Sequence, residues 1–423
     1  PEVRVIAFLA LLTLDQALAT ARTGQPQLQA AAAQTAAAAA RTDEAHAALL
    51  PQVSGNGSYQ RATANFVSRP GALPRQLSTA GGSESFDSLG FYNFGVNANY
   101  LLYDFGQTRN RWRSAAANLD AQRAGERTTG SQVLFAVRTT FFQARAAKEL
   151  VGVAAETLAN QQKHLEQTEG FVEVGTQPPI ALAQAKTAVA NAQVQQINAE
   201  NGYETAKAQL NQAMGVEATT DYDVADETAP PIAGEDGSPD TLFDEALRVR
   251  PEIAALADQV KAAELTVEAT RGATWPSLGV SSGVTDAGGQ LPGLTWNWNA
   301  ALQLSVPIFT GGLTRAQIAE GQANLAVVRA QLQIERLTVR LDVEQARLAV
   351  RAAKGTLVAS GDALENAREQ LHLAEGRYET GVGSIIELGD AQVALTAAAQ
   401  QRVQAEYGLA QARAQLVKAL GRE

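Results

Sequence analysis

The stretch Ala206-Lys207-Ala208-Gln209-Leu210 returns near the end of the chain as Ala412-Arg413-Ala414-Gln415-Leu416, 206 residues later. Other residues recur at the same spacing: Thr108-Arg109 matches Thr314-Arg315, and Gly170, Gly175 and Gly215 match Gly376, Gly381 and Gly421. A constant spacing over this length is typical of a duplicated structural unit rather than of low-complexity sequence. We therefore interpret the chain as one unit present twice.

The two copies differ in length at one place. Pro26 and Pro51 match Pro251 and Pro276 at a spacing of 225, so the second copy is 19 residues shorter (225 minus 206) in the segment that follows. That segment is rich in strand-forming residues, and in the first copy it is rich in Ser, Gly and Pro over 60–90. We predict a β-hairpin in each copy, with the extra residues in a loop.

Composition limits the class of protein. Aromatic residues are only 6% of the 423 residues and Ala is abundant, which favours long helices with thin cores. The formal net charge of -10 argues against a nucleic-acid partner. Cysteine is absent, and His46, His164 and His372 have no metal-ligand spacing, so each is interpreted as a surface residue of a helix. No phosphate-binding loop or nucleophile motif is found, and the sequence predicts no enzyme, cofactor or metal site.

Residues 1–12 are apolar apart from Glu2 and Arg4. This segment is shorter than the roughly 20 residues that a membrane-spanning helix needs. Two interpretations stay open: the remnant of a signal peptide, or a mature end that packs on the fold. No other stretch reaches spanning length as a helix, so we expect any membrane crossing to be made by strands.

Strands suited to a membrane occur in both copies. Over 91–102 apolar and small polar residues alternate, and over 296–306 the same pattern repeats. Each run has about the ten residues that a tilted transmembrane strand requires, with aromatic residues bunched at one end. A half-buried sheet of a soluble protein is the alternative. In the membrane interpretation the lipid-facing residues are Tyr92, Phe94, Trp296, Trp298 and Leu302.

Proline-free regions of 64 residues follow the strands. As helices of 1.5 Å rise per residue, they would each be about 96 Å long. Gly175 and Gly381 permit the turns after them. The predicted elements of the two copies are β-hairpins over 52–102 and 277–306, long helices over 107–170 and 313–376, and return helices over 178–215 and 384–421. Shorter helices over 26–50 and 251–275 complete the second helical layer.

The predicted organisation is an N-terminal segment (1–12), a first repeat (13–215), a linker (216–247) and a second repeat (248–423). Over 216–240 the linker has eight acidic residues, three prolines and no basic residue. It is either a solvated linker or an ordered belt around the helices.

Four strands cannot close a membrane barrel, because the smallest have about eight and an open edge in lipid leaves backbone groups unpaired. Three chains would supply 12 strands. We therefore predict a mainly α chain with a membrane β-barrel portion, a trimeric 12-strand barrel continued by a 12-column α-helical barrel. The 60–90 loop would be extracellular.

Several motifs resemble the outer membrane efflux (TolC) family over nearly the whole chain. They are 12–18, 25–28 and 48–53 in the first copy, and 250–253, 275–278, 304–309 and 377–381 in the second. The resemblance implies a homotrimeric channel-tunnel in the outer membrane that projects into the periplasm and exports small molecules or proteins. It also implies a periplasmic adaptor (membrane fusion) protein and an inner-membrane pump as partners.

The resemblance also implies site residues at the helix tips. Glu387 and Asp390, three residues apart on one helical face, match acidic positions of the family's pore constriction, and Tyr378 matches a tyrosine that holds the coils closed. The predicted adaptor-contacting residues are Gly175, Thr176, Gly381, Val382 and Ser384.

A second class of protein fits part of the pattern. A non-conducting periplasmic adaptor or scaffold would also contain long helical hairpins. Such a protein predicts one hairpin flanked by split β domains, whereas this sequence predicts two hairpins and Trp-bearing amphipathic strands. The sequence does not indicate the cargo.

Overall fold

The computed structural model describes residues 11–63, 88–217, 219 and 221–422. Two sequence predictions therefore lie outside the described residues, in whole or in part: the apolar N-terminal segment for residues 1–10, and the extracellular loop for residues 64–87. None of the described helices combines the length and the apolar character of a membrane span.

The chain is mainly helical, as predicted from the sequence. In order, its elements are β1 (Leu11–Leu12), α1 (Leu14–Gly24), α2 (Pro26–Ala47), β2 (Gln52–Thr63), β3 (Ser88–Tyr103), α3 (Gln107–Glu173), α4 (Pro179–Met214), β4 (Asp223–Val224), α5 (Pro239–Val249), α6 (Pro251–Gly272), β5 (Ser277–Gly288), β6 (Thr295–Ser305), α7 (Leu313–Glu379) and α8 (Ile385–Ala419). The helices α3 and α7 have 67 residues each and end three residues beyond the predicted glycines.

The chain forms two compact units, and each of them draws on both repeats. One, here called the strand unit, comprises the described residues within 37–120 and 258–329. The other, here called the helix unit, comprises the described residues within 1–36, 121–257 and 330–423.

The strand unit contains a four-stranded antiparallel sheet in the order β2-β3-β5-β6. The two hairpins are neighbours because β3 pairs with β5. In one cross-strand row, Val96 pairs with Val284 and Val284 with Trp298. In the adjacent row, Asn97 pairs with Gly283 and Gly283 with Asn299. Since directly paired residues share a face, the apolar stripes of both copies lie on one face and the amide stripes on the other.

The core of the helix unit repeats the duplication residue by residue. In the first copy a cluster contains Val133, Val137, Leu210 and Met214. In the second copy the residues 206 positions later, Val339, Val343, Leu416 and Leu420, form an equivalent cluster. These side chains are all nearly inaccessible to solvent. The same apolar positions therefore make both cores, with aliphatic side chains and few aromatic ones.

The structure moves the boundary between two predicted segments. The linker was predicted over 216–247 and the second repeat over 248–423. Helix α5 begins inside the linker at Pro239, and it lies 225 residues after α1. Both helices have a hydroxyl N-cap, Thr13 in α1 and Ser238 in α5, and Pro239 occupies the first turn of α5. The second repeat thus begins with a counterpart of α1.

The acidic segment between the copies makes many contacts with the helices. Strand β4 pairs in parallel with β1. Asp223 accepts a hydrogen bond from Lys148 Nζ at 2.7 Å, and Asp226 pairs with Arg145 at 3.3 Å. Arg422 Nη1 donates to the Ala233 carbonyl of this segment at 2.7 Å. These contacts favour the ordered belt over the solvated linker.

Glu235 is the most enclosed carboxylate of this segment. It accepts hydrogen bonds from Arg413 Nε and Nη2 at 3.1 Å and from the Ile232 N–H at 3.0 Å, and Lys354 Nζ lies 2.8 Å away. Burial alone would raise its pKa, but the hydrogen bonds from Arg413, Lys354 and Ile232 lower the pKa to about 2. Glu235 therefore stabilises the fold above the ordinary carboxyl pKa, and this contribution is lost as the pH falls toward about 2.

We expect Glu235→Ala to lower the free energy of unfolding of the helix unit by about 3 kcal/mol, because Arg413 loses its buried partner. Asp236→Ala is the matched control, since Asp236 also pairs with Lys354 but its side chain is 81% exposed. The control should cost about 0.5 kcal/mol. Urea-induced loss of helical circular dichroism in detergent measures both. Equal losses for the two variants would contradict a structural role of Glu235.

Candidate functional site

The site predicted from the sequence is at the two helical turns, both in the helix unit. Gly175 and Gly381 adopt the left-handed conformation, with φ of 79° and 74°. After Gly175, the Thr176 N–H donates to Phe171 O at 2.9 Å, and after Gly381, the Val382 N–H donates to Arg377 O at 3.0 Å. The two turns are therefore built alike, and a side chain at either glycine would strain the backbone.

Exposed aliphatic residues surround both turns. Val174 and Ile180 flank the first turn and are 71% and 65% exposed, while Val382 and Ile386 at the second are 72% and 67% exposed. Of these, only Val382 was assigned from the sequence. The other three could have been predicted from their position beside a turn, where an apolar side chain cannot pack into a helical core. Such patches are typical of surfaces that bind a partner.

Glu387 and Asp390 are both exposed in the first turns of α8. Ser384 caps this helix, since its Oγ accepts the Glu387 N–H at 3.1 Å. The Glu387 carboxylate also pairs with Arg377, whose Nε lies 3.0 Å from Glu387 Oε1. Arg377 is not among the site residues predicted from the sequence, although it adjoins Tyr378 in the 377–381 motif. One of the two negative charges on this surface is thus paired within the chain.

The structure does not bring Tyr378 to the surface that carries the two acids. Its side chain is only 2% exposed and packs edge-to-face on Phe171, with ring centroids 5.7 Å apart. The Tyr378 hydroxyl lies 3.3 Å from Thr168 Oγ1. Leu388 and Ala391 belong to the same buried cluster. Tyr378 therefore joins α3, α7 and α8 inside the chain.

His164 was expected on the surface, and this prediction is wrong. It is 7% exposed, because its ring lies under α7 with Nε2 3.6 Å from Glu375 Oε1. Burial lowers the pKa of the imidazole, which favours its neutral form. His372 is exposed as expected, and His46 is half-buried against Trp112. Among the residues that the structure describes, no group of His, Cys, Asp and Glu could hold a metal ion.

The seam between the two helical hairpins is polar near the turns. Gln161 on α3 donates to Gln392 on α8 at 2.6 Å, and Thr157 and Thr396 lie 3.2 Å apart. A cavity of about 280 Å³ lies beside this seam, lined by His164, Gln392 and Asp390 among others. The Nε2 atoms of His164 and Gln392 are buried without a hydrogen-bond partner among the described residues. Polar seams of this kind hold two elements together less firmly than apolar packing does.

The fold of this chain, with its duplicated long helical hairpins and its four-stranded sheet, is that of known outer-membrane channels. Solved structures share the architecture: the outer-membrane channel OprN matches with a TM-score of 0.83 and 22% identity, covering 97% of this chain and 90% of that chain. The CmeC channel of Campylobacter jejuni matches with a TM-score of 0.84 and 19% identity, covering 96% and 85%.

The chain belongs to the outer membrane efflux protein family, whose model matches residues 17–216 and 242–422. It is 29% identical to the pyoverdine export outer membrane protein OpmQ of Pseudomonas putida over 96% of this chain and 85% of OpmQ. It is also 29% identical to the solvent efflux pump outer membrane protein SrpC of Pseudomonas putida, over 82% of this chain and 74% of SrpC. The protein is thus an outer-membrane efflux protein and not an enzyme, which confirms the class and the localisation predicted from the sequence.

Proposed function

We propose that three copies of this chain form the exit duct of a tripartite efflux or type I secretion system. In this proposal 12 strands close a barrel in the outer membrane, and the helices continue as a 12-column barrel through the periplasm. The observation that carries it is the four-stranded sheet with one apolar and one amide face. Such a sheet suits contact with lipid on one side and with a water-filled lumen on the other.

The exposed side chains of the apolar face fit this role. Trp296, Trp298 and Leu302 are 73%, 60% and 67% exposed, and Phe94 is 44% exposed. Tyr92 is half-buried because its ring lies 4.7 Å from that of Tyr59. Large apolar side chains in this number are costly in water, whereas lipid accommodates them. We assign them to lipid contact.

The edges of the sheet support assembly with further copies. Strands β2 and β6 are its two outer strands. An outer strand in lipid would leave its N–H and C=O groups unpaired, at several kcal/mol each. Pairing β6 of one copy with β2 of the next removes these edges, and three copies give 12 strands.

Helix α7 carries an exposed heptad row. Ile334, Leu341 and Leu348 are spaced by seven residues, and Leu337 stands between the first two at the spacing of a second core position. These four side chains are 47–70% exposed in the single chain. The opposite face of α7 is occupied by the buried valines of its own core. We assign the row to coiled-coil packing against a second copy.

We expect Leu337→Glu with Leu341→Glu to abolish the trimer, since each leucine contributes about 1.5–3 kcal/mol when buried. Gln401→Glu with Gln404→Glu adds the same charge at exposed positions of α8 and should leave the trimer intact. Migration of unheated and heated samples in denaturing gels measures assembly. A trimer of unchanged stability in the leucine variant would show that α7 does not form the interface.

The helical turns are proposed to meet the periplasmic adaptor and its inner-membrane pump. The adaptor would contact Gly175, Thr176, Gly381, Val382 and Ser384, together with the exposed aliphatic residues beside them. Glu387 and Asp390 would line the constriction of the closed end. Tyr378 would act as a positioning residue behind them, because it packs against Leu388 between the two acids.

Cell fractionation tests the proposed function. We expect the protein in the outer-membrane fraction as a heat-modifiable trimer, and its deletion should make cells retain a pump substrate. A soluble or inner-membrane monomer with unaltered export would contradict the proposal and favour the scaffold. The chain's two helical hairpins already differ from the single hairpin expected of an adaptor.

A further inference from the structure

A groove of about 1200 Å³ lies within the strand unit, between α3, α6 and α7. Its lining includes Arg109, Arg113 and Lys261, which are all exposed. In contrast, Arg271 pairs with Glu268 at 2.9 Å and Arg329 with Glu264 at 2.6 Å. Arg109, Arg113 and Lys261 form no salt bridge within the part of the chain that the structure describes. The groove therefore offers three unpaired cations in a chain of net charge -10.

The position of the two arginines is unfavourable for the helix itself. Helix α3 starts at Gln107, so Arg109 and Arg113 lie in its first two turns. The N-terminal end of a helix has a partial positive charge, so a cation placed there is repelled and destabilises the helix. Asp104 instead pairs a free backbone N–H group at the start of α3, because its carboxylate accepts the Thr108 N–H at 2.7 Å. The charge of the helix start thus does not explain either arginine, and of the two only Arg109 recurs in the second copy, as Arg315.

The duplication provides an internal comparison. The residues that stand 206 positions after Trp112 and Arg113 are Ile318 and Ala319. Helix α7 nevertheless forms with the same length as α3. A tryptophan and an arginine are therefore not required at these two positions for such a helix to form.

The chemistry of the lining indicates a class of ligand. Trp112 lines the groove beside the cations, and its ring is held against His46 with centroids 5.1 Å apart. Arg109 and Arg113 are one turn apart, so their Cβ atoms are about 5–6 Å from each other. Two arginines whose Cβ atoms are this close can both reach a ligand with two acidic groups, and an indole suits a flat apolar body.

We propose that this groove binds amphipathic organic dianions, with the two arginines and Lys261 on the acidic groups and Trp112 on the aromatic body. The proposal goes beyond the export function, because binding needs neither a pump nor an open channel. In an export duct such a site would retain anionic cargo. Failure of the binding test leaves the export proposal untouched.

Isothermal titration of the full-length protein in a neutral detergent with naphthalenedisulfonate tests the site. We expect Arg109→Gln with Arg113→Gln to weaken binding roughly tenfold or more, since it removes two charge-assisted contacts. The control pair Arg315→Gln with Arg336→Gln makes the same change of charge at exposed positions outside the groove, and should change affinity less than about twofold.

A second measurement separates a built site from general charge attraction. Inorganic sulfate should bind at least about tenfold more weakly than the disulfonate, and Trp112→Leu should reduce this preference. Unchanged heat stability of the variants shows that the fold is retained. Equal affinity in the groove and control variants, or sulfate binding as tight as that of the disulfonate, would overturn the proposal.

Discussion

Arginine in place of Leu302 is expected to cost about 2–4 kcal/mol of membrane insertion free energy, while arginine in place of Asn299 is tolerated. The register explains the contrast: Leu302 lies in a row with Val280 and Tyr100 on the apolar face, and Asn299 pairs with Gly283 on the amide face. A charge on the apolar face would have to enter lipid, whereas on the other face it would enter water. Folding into lipid vesicles under denaturant titration measures the difference.

Ala300→Arg provides a second apolar-face variant with a small native side chain. It tests whether the effect of Leu302→Arg comes from charge in lipid or from loss of the leucine. Ala300 pairs with Ser282 and shares the face of Leu302. If arginine is tolerated equally at Ala300, Leu302 and Asn299, the strands do not span lipid.

Neutralising both acids of the proposed constriction is expected to reverse its ion preference. In a trimer, three copies of Glu387 and Asp390 would place six carboxylates together, but Arg377 pairs with each Glu387. The sum is one negative charge per chain. Glu387→Gln with Asp390→Asn leaves Arg377 unpaired, which gives one positive charge per chain. The variant should therefore prefer anions, and block by a trivalent cation should weaken roughly tenfold or more.

Two further variants make this prediction specific. Arg377→Gln should strengthen the trivalent block, because it removes the paired cation and leaves both acids. Asp362→Asn removes an exposed carboxylate elsewhere on α7 and should change neither selectivity nor block. Single-channel currents with the cation added on the periplasmic side give both quantities. The same selectivity in wild type and in the double variant would place these acids on an ordinary solvated face.

Most of the fold could be predicted from the sequence because its signals are local and occur twice. Period-2 alternation predicts the strands, and the absence of proline predicts the long helices. The glycine within each turn, Gly175 or Gly381, predicts where the turn lies, although α3 and α7 continue three residues past Gly170 and Gly376. Helix α5 also had a local signal, since Ser238-Pro239 is a typical helix start. The pairing of β1 with β4 had none, because two-residue strands far apart in sequence leave no pattern.

The candidate site was less predictable because the four helices that carry it, α3, α4, α7 and α8, are only weakly amphipathic. Alanine and glutamine occupy many positions, so the pattern does not identify which faces are buried. The burial of His164 and Tyr378 could not be predicted from the pattern, because each of them is covered by a helix of the other repeat. The pair of Arg377 and Glu387 likewise depends on how the turn folds back. The positions of Glu387 and Asp390 on one exposed helical face required only their spacing of three residues.

Single-channel recording of the wild-type protein in planar bilayers shows whether the trimer is a conducting channel. We expect stepwise conductance from purified trimers, with cation preference and block by a trivalent cation from the periplasmic side alone. Trimers that insert into the bilayer but give no conductance steps would contradict an export channel, as would steps that the cation blocks equally from both sides.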